Sequence, residues 1–151
     1  MRSIRRIGML AALALALALA LPLASAVAAQ EKPLYQRLGG YDAIAAVSDE
    51  FIARLAADEQ EKRFFIGFSD DSKMKIRQLL VDLVCKSTGG PCYYTGRDMK
   101  TAHAGAGITK ADWDRSLGIF VEVLNKFKVP EKEQKDLAAL LSPLEKDIVG
   151  K

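Results

Sequence analysis

Asp98-Met-Lys-Thr-Ala-His103-Ala-Gly-Ala-Gly-Ile-Thr109 carries the one histidine of a 151-residue chain. An imidazole nitrogen titrates near neutral pH or ligates a metal, and a surface histidine does the first as readily as a site histidine. The surroundings sharpen the reading. A short helix opens near Asp98, and Gly105 and Gly107 follow the histidine, so His103 is pinned between loops. The remaining sequence supplies apolar helical faces and few polar groups able to do chemistry. If the protein has an active centre, His103 holds it; a solvated or capping histidine is the plain alternative.

Working outward, Thr109 followed by Asp112 three residues later has the form of a capping box. It opens a helix through about Phe127 whose predicted buried face is Trp113, Leu117, Phe120, Val121 and Leu124. Pro130 suits a first helical turn. A last helix, Glu131 to about Ile148, is expected to bury Leu137, Leu140, Leu141, Leu144 and Ile148. Toward the N-terminus, Cys92 to Asp98 reads as loop and Thr88-Gly-Gly-Pro91 as a firm helix stop. Before it come a helix from Lys73 to Ser87, a polar loop Gly67 to Ser72, and a brief segment Glu59 to Ile66 holding Phe64-Phe65. A helix over Tyr41 to Ala57 sets Ile44, Val47, Phe51, Ile52 and Leu55 on one face at helical spacing. Gly39-Gly40 separates it from a short turn at Leu34 to Leu38. No alternating pattern and no repeat occurs, so the expectation is a single all-α domain over residues 33–149.

Residues 1–28 read as a secretory signal peptide. Arg2, Arg5 and Arg6 precede the apolar run Ile7 to Leu21, then Pro22 and the small-residue patterns Ala24-Ser25-Ala26 and Ala26-Val27-Ala28. The run is short against the roughly 20 apolar residues of a membrane span. An uncleaved membrane anchor over residues 7–21 is the alternative, and either way the domain is expected outside the cytoplasm, in the periplasm or held at the membrane. The 22 basic residues outnumber the 19 acidic ones, but three of the basic ones lie in this segment. The remaining domain is formally neutral and lacks the basic face that nucleic-acid binding requires. Cys85 and Cys92, with six residues between them, either cross-link over the Gly89-Gly90-Pro91 bend or stay as separate buried thiols. With one histidine and no third cysteine they do not make a zinc site.

Taken together, Leu34-Tyr-Gln-Arg-Leu-Gly-Gly-Tyr-Asp-Ala-Ile44, Phe64-Phe65, Gly89-Gly90-Pro91, Tyr94-Thr-Gly96 and the His103 stretch resemble a group I truncated hemoglobin. The likeness runs from about Pro33 to Val149. It implies a two-over-two helical sandwich around haem, with His103 as the proximal iron ligand. Phe65 matches the phenylalanine against the haem plane, and Tyr94, Met99 and Ile108 match proximal positions. Lys100 or Arg97 would face the propionates, unless both are ordinary solvated surface. The second imidazole nitrogen needs an acceptor to fix its tautomer, and a carbonyl one turn earlier, near Met99, is expected to supply it.

The distal side departs from the family. Phe51 and Ile52 match a Phe-Tyr pair whose tyrosine hydroxyl stabilises oxygen, and Ile52 has no donor. Counting back from Gly89, Ile76, Leu80, Leu83 and Val84 form one stripe toward the pocket, assuming a three-residue insertion around Gly67 to Ser72. A register shifted by two would bring in Gln78, with Arg77 and Asp82 nearby at a desolvation cost. The resemblance therefore implies a haem protein that reversibly binds dioxygen, carbon monoxide and nitric oxide, retaining oxygen weakly. A nitric oxide dioxygenase or peroxidase-like enzyme is the alternative, and a haem-free helical interaction module is a third. An electron-donating reductase is the expected protein partner, and a membrane is one only if the N-terminal segment stays uncleaved.

Overall fold

The computed structural model describes residues 31–151. The signal-peptide reading of residues 1–28 and the anchor reading of residues 7–21 fall outside them. Among the described residues every regular element is helical: α1 (Leu34–Arg37), α2 (Gly40–Ala57), a 3-10 turn (Lys62–Phe65), α3 (Asp70–Ser87), α4 (Met99–Ala102), α5 (Lys110–Lys126), α6 (Glu131–Leu141), a second 3-10 turn (Ser142–Leu144) and α7 (Glu145–Ile148).

Helix α2 packs along α3 and crosses α5. One apolar cluster joins these layers: Ile44 and Ala45 of α2, Val81, Val84 and Cys85 of α3, Leu124 of α5 and Leu137 of α6. Each of the Ile, Val and Leu side chains contributes about 1.5–3 kcal/mol when removed from water. Helices α5 and α6 meet through a tight turn, where Gln134 Nε2 donates to Asn125 Oδ1 at 2.9 Å and to the Val129 carbonyl at 2.8 Å. Arg37 bridges α1 to α6 through Glu133 at 2.6 Å and through Asp136. The result is an all-helical core in which α2 packs on both α3 and α5, with Leu137 of α6 joining the same apolar cluster.

Two boundaries and one buried face differ from expectation. Helix α3 starts at Asp70, inside the stretch expected to be loop, because Ser69 caps it by accepting from Ser72 N at 3.2 Å. Asp70 and Asp71 then sit in the first turn, where carboxylates complement the helix dipole. The last helix breaks at Ser142–Leu144, where Pro143 interrupts the hydrogen-bond ladder. Leu140, still within α6, is 41% exposed, while Leu137 and Ile148 are buried. On α5, Val121 is 48% exposed, and Ile119 and Val123 take the buried face instead. Leu117 and Phe120 are half-buried.

The two cysteines are joined as a Cys85–Cys92 disulfide, tying the end of α3 to the loop that leads into α4. Gly90 makes the bend between them possible: a Cβ there would lie 2.5 Å from the Tyr35 ring and 2.6 Å from Cys85 Sγ. In the chain-entropy account a loop this short stabilises by about 2–3 kcal/mol. A Cys85→Ala/Cys92→Ala double variant is therefore expected to lose about that much in urea unfolding. Unchanged stability would mean the crosslink constrains nothing the unfolded chain explores.

Candidate functional site

Helix α4 is a single turn, and its capping explains why so short an element holds a fixed side chain. Asp98 caps it, accepting from Thr101 N at 2.9 Å and from Thr101 Oγ1 at 2.8 Å. Those two bonds hold its carboxyl below the usual carboxylate range. At the other end one carbonyl does two jobs. The Met99 oxygen accepts from His103 N at 3.1 Å and pairs with His103 Nδ1 at 2.8 Å. A carbonyl only accepts, so Nδ1 carries the proton. Nε2 is then the nitrogen with the free lone pair, on a half-buried ring. This is the acceptor expected from the sequence.

The loop before α4 is pinned by Tyr94, whose hydroxyl donates to the Arg97 carbonyl at 2.7 Å. Burial, and then the Asp98 charge, push that phenol above its ordinary range. After α4, the Ile108 carbonyl accepts from Gly150 N at 2.9 Å, tying the loop to the C-terminus. Met99 and Ile108 are half-buried and Lys100 is exposed.

On the distal side the expected residues are only partly gathered. Phe51 meets Phe120 edge to face, with centroids 5.1 Å apart, within the α2–α5 packing. Phe65 meets Phe68 in the same way at 6.3 Å. Val84 lies in the apolar cluster and Leu80 packs against it, while Ile76 and Leu83 are half-buried. Ile52 opens into a groove of about 650 Å³ between α2 and α3, whose lining includes Met74, Arg77 and Gln78.

Two polar groups of that groove, Gln78 and Arg77, are committed to protein partners. Gln78 Nε2 donates to Tyr41 Oη and to Asp82 Oδ1, both at 2.9 Å, which uses its two hydrogens. Its Oε1 accepts from Arg77 Nη1 at 3.1 Å. The rest of the Arg77 guanidinium is held by Asp49 at 2.6 and 2.8 Å, which also raises its pKa.

The sequence profile of the bacterial-like globin family matches residues 33–149. The chain belongs to that family. A group 1 truncated hemoglobin of Mycolicibacterium paratuberculosis is 32% identical over 120 residues, covering 80% of this chain and 86% of that protein. A second, from Tetrahymena pyriformis, is 28% identical over 118 residues, covering 78% and 95%. The solved Fe(III) structure of truncated hemoglobin from Tetrahymena pyriformis aligns with a TM-score of 0.73 at 27% identity, over 80% of this chain and 100% of that one. The 2/2 hemoglobin of Synechococcus, solved in the cyanomet state with covalently attached heme, aligns at 0.72 and 25% identity, with coverage of 80% and 100%.

The fold is thus a truncated globin, and haem is the cofactor of this family. The residues present fit it. A neutral imidazole with one nitrogen spent on a carbonyl offers the other to iron. Half-buried apolar side chains at Phe65, Ile76, Leu80, Leu83, Tyr94, Met99 and Ile108 are the chemistry a flat apolar ring needs.

One feature of this globin that bears on the site was only partly legible. Asp112, 2% exposed, completes the capping box of α5, taking Thr109 N at 2.8 Å and Thr109 Oγ1 at 2.7 Å. It also receives Gln60 Nε2 at 2.9 Å and Arg63 Nη2 at 2.6 Å. The Thr109 hydroxyl is the main reason its carboxyl sits far below the ordinary range. Asp112 thereby clamps the turn that carries Phe64 and Phe65. The local spacing announces the cap; nothing in it announces partners 49 and 52 residues away.

Proposed function

We propose that this globin is an exported haem protein that binds dioxygen, carbon monoxide and nitric oxide reversibly, with His103 as the iron ligand. The observation that carries the reading is the His103 Nδ1 to Met99 carbonyl bond of 2.8 Å. It selects the tautomer that presents Nε2, and it orients the ring from a backbone atom rather than a mobile side chain. Bound haem supplies an iron centre that takes a diatomic gas. The chain's residues do the rest. Met99 and Ile108 cover the proximal side, Phe65 packs against the ring plane, and Ile76, Leu80 and Leu83 keep water off the distal side. Lys100, exposed on α4, would meet a propionate.

The distal residues favour binding over catalysis. Ile52 offers no proton and the Gln78 amide hydrogens are taken, so neither of these two groove residues supplies an acid or base. The enzymatic alternative, nitric oxide dioxygenase or peroxidase-like turnover, has no residue here in its support. An electron-donating reductase is the partner that would return oxidised iron to its gas-binding state. Export is supported by the Cys85–Cys92 disulfide, which persists in oxidising compartments, together with the charged-then-apolar N-terminal sequence. Cell fractionation with a C-terminal epitope tests it: a cytoplasmic product of full length would remove export from the proposal.

Absorption spectra of the purified protein, ferric and ferrous, with and without carbon monoxide, test the central reading. A strong violet band that shifts on adding carbon monoxide is expected. A colourless protein that takes up no haem would leave the helical interaction module as the better account.

A further inference from the structure

Between the end of α2 and the first 3-10 turn lies a carboxylate that the proposed gas-binding role does not use. Glu61 is 4% exposed, and its Oε1 has no hydrogen-bond partner. Its backbone is held firmly: Glu61 N donates to Asp58 Oδ1 at 3.2 Å, and the Glu61 carbonyl accepts from Phe64 N at 3.0 Å. Gln60, just before it, and Arg63, two residues after, both reach to Asp112. Arg63 also lies over the Phe64 ring, 4.5 Å from its centroid.

The charged groups facing Glu61 come from three elements. Asp58 ends α2 and is paired with Arg115 of α5 at 2.6 Å. Asp112 is the buried cap of α5, and Arg63 belongs to the 3-10 turn. Both cations therefore already serve another carboxylate. A charged Glu61 would sit in low dielectric beside two anions, with no donor left for one of its oxygens. A buried ionised carboxylate without partners is strongly disfavoured and takes a proton instead.

We propose that Glu61 is a proton-operated latch for the corner that carries Phe65: seated when it holds a proton, and driven out of its site when it loses one. This rests on the reading that Phe65 packs against haem. Expulsion of the charged side chain pulls on Arg63, weakens the Asp112 clamp and loosens the ring-contacting corner, so haem retention falls as pH rises. Desolvation first, then the charges of Asp112 and Asp58, raise the Glu61 pKa to about 7, which sets the window. The sign follows from linkage. A carboxyl whose folded pKa is raised costs nothing below its ordinary range, and its stabilising proton is lost between that range and about pH 7.

The test compares the wild-type globin with Glu61→Gln, an uncharged side chain of the same shape, from pH 5.5 to 8.5. The first readout is haem transfer to excess apomyoglobin; the second is thermal melting of the haem-free proteins. Wild-type transfer is expected to accelerate by about tenfold across the window, in proportion to the linked proton, while Glu61→Gln stays slow and flat. The wild-type melting temperature should fall up to about pH 7 and level off above it, and the variant's should show no such fall. Parallel profiles for the two proteins in both readouts overturn the latch. If neither protein takes up haem, the gas-binding reading fails, and the melting profiles still decide whether Glu61 titrates in its seat. Should Glu61→Gln not fold, carboxyl carbon NMR of the wild type replaces it. A Glu61 signal titrating near neutrality supports the latch, and one titrating in the ordinary carboxylate range ends it.

Discussion

His103→Ala is expected to abolish haem retention during purification while leaving the helical content unchanged. Losing a partner one shell away from a metal ligand already costs about 10–100-fold in affinity, and losing the ligand itself exceeds that. The fold has little stake in the ring. His103 ends α4 rather than sitting inside it, and it is half-buried, outside the apolar cluster. The hydrogen bond of its ring, to the Met99 carbonyl, is worth about 1 kcal/mol net. Circular dichroism and haem content therefore separate the two roles. His103→Gly with added imidazole adds a stricter control, because the free base can fill the vacated position without restoring any backbone contact. Recovery of haem binding and of an iron–imidazole Raman band is the expected result. If His103→Ala keeps its haem and an unaltered proximal-nitrogen signature, His103 is not the ligand and the account of α4 is wrong.

Much of this site could be read before the fold was known, and what could not has identifiable physical causes. Capping is local chemistry, so Thr109 with Asp112, and Asp98 at the start of α4, announce helix starts from the sequence. The His103 to Met99 bond is equally local, spanning one helical turn. Periodicity served α2 well, where Ile44 is buried and Val47, Phe51, Ile52 and Leu55 are half-buried as expected. On α5 it holds for Trp113 and Leu124, which are buried, and breaks at Val121, which is exposed, because apolar residues crowd both sides of that helix. Val121 and Val123 are chemically alike, and the partner helices alone decide which one faces inward. The α3 start was missed because Ser69, Asp70 and Asp71 suit a loop and a capped first turn equally. Whether Cys85 and Cys92 pair depends on the approach of Gly90 to Tyr35 and Cys85, a distance no spacing encodes. Glu61 reads as one more acid in a polar run. Its burial comes from α5, about 50 residues downstream, through the contacts of Gln60 and Arg63 with Asp112.

Ile52→Tyr is expected to slow oxygen dissociation by about tenfold. A hydrogen bond contributes about 0.5–1.5 kcal/mol net, more when charge-assisted, and 1.4 kcal/mol is a factor of about ten. Dioxygen on ferrous iron draws electron density, so a donor beside it matters; carbon monoxide draws far less, and its dissociation should change little. The groove at Ile52 makes the substitution informative. Arg77 and Gln78 line it too, yet Gln78 has given its amide hydrogens to Tyr41 and Asp82, and Arg77 is committed to Asp49 and Gln78. A new hydroxyl at position 52 therefore adds a donor on the α2 wall that neither Gln78 nor Arg77 supplies. Ile52→Phe controls for ring volume: it should alter gas entry without slowing oxygen release. Equal dissociation rates for the wild type, Ile52→Phe and Ile52→Tyr, in proteins that retain haem, would place the oxygen-contacting surface away from α2. Gln78→Leu then becomes the deciding variant. Faster release from it would mean that the amide leaves Tyr41 when gas is present, and that the polar register of α3 is the working one.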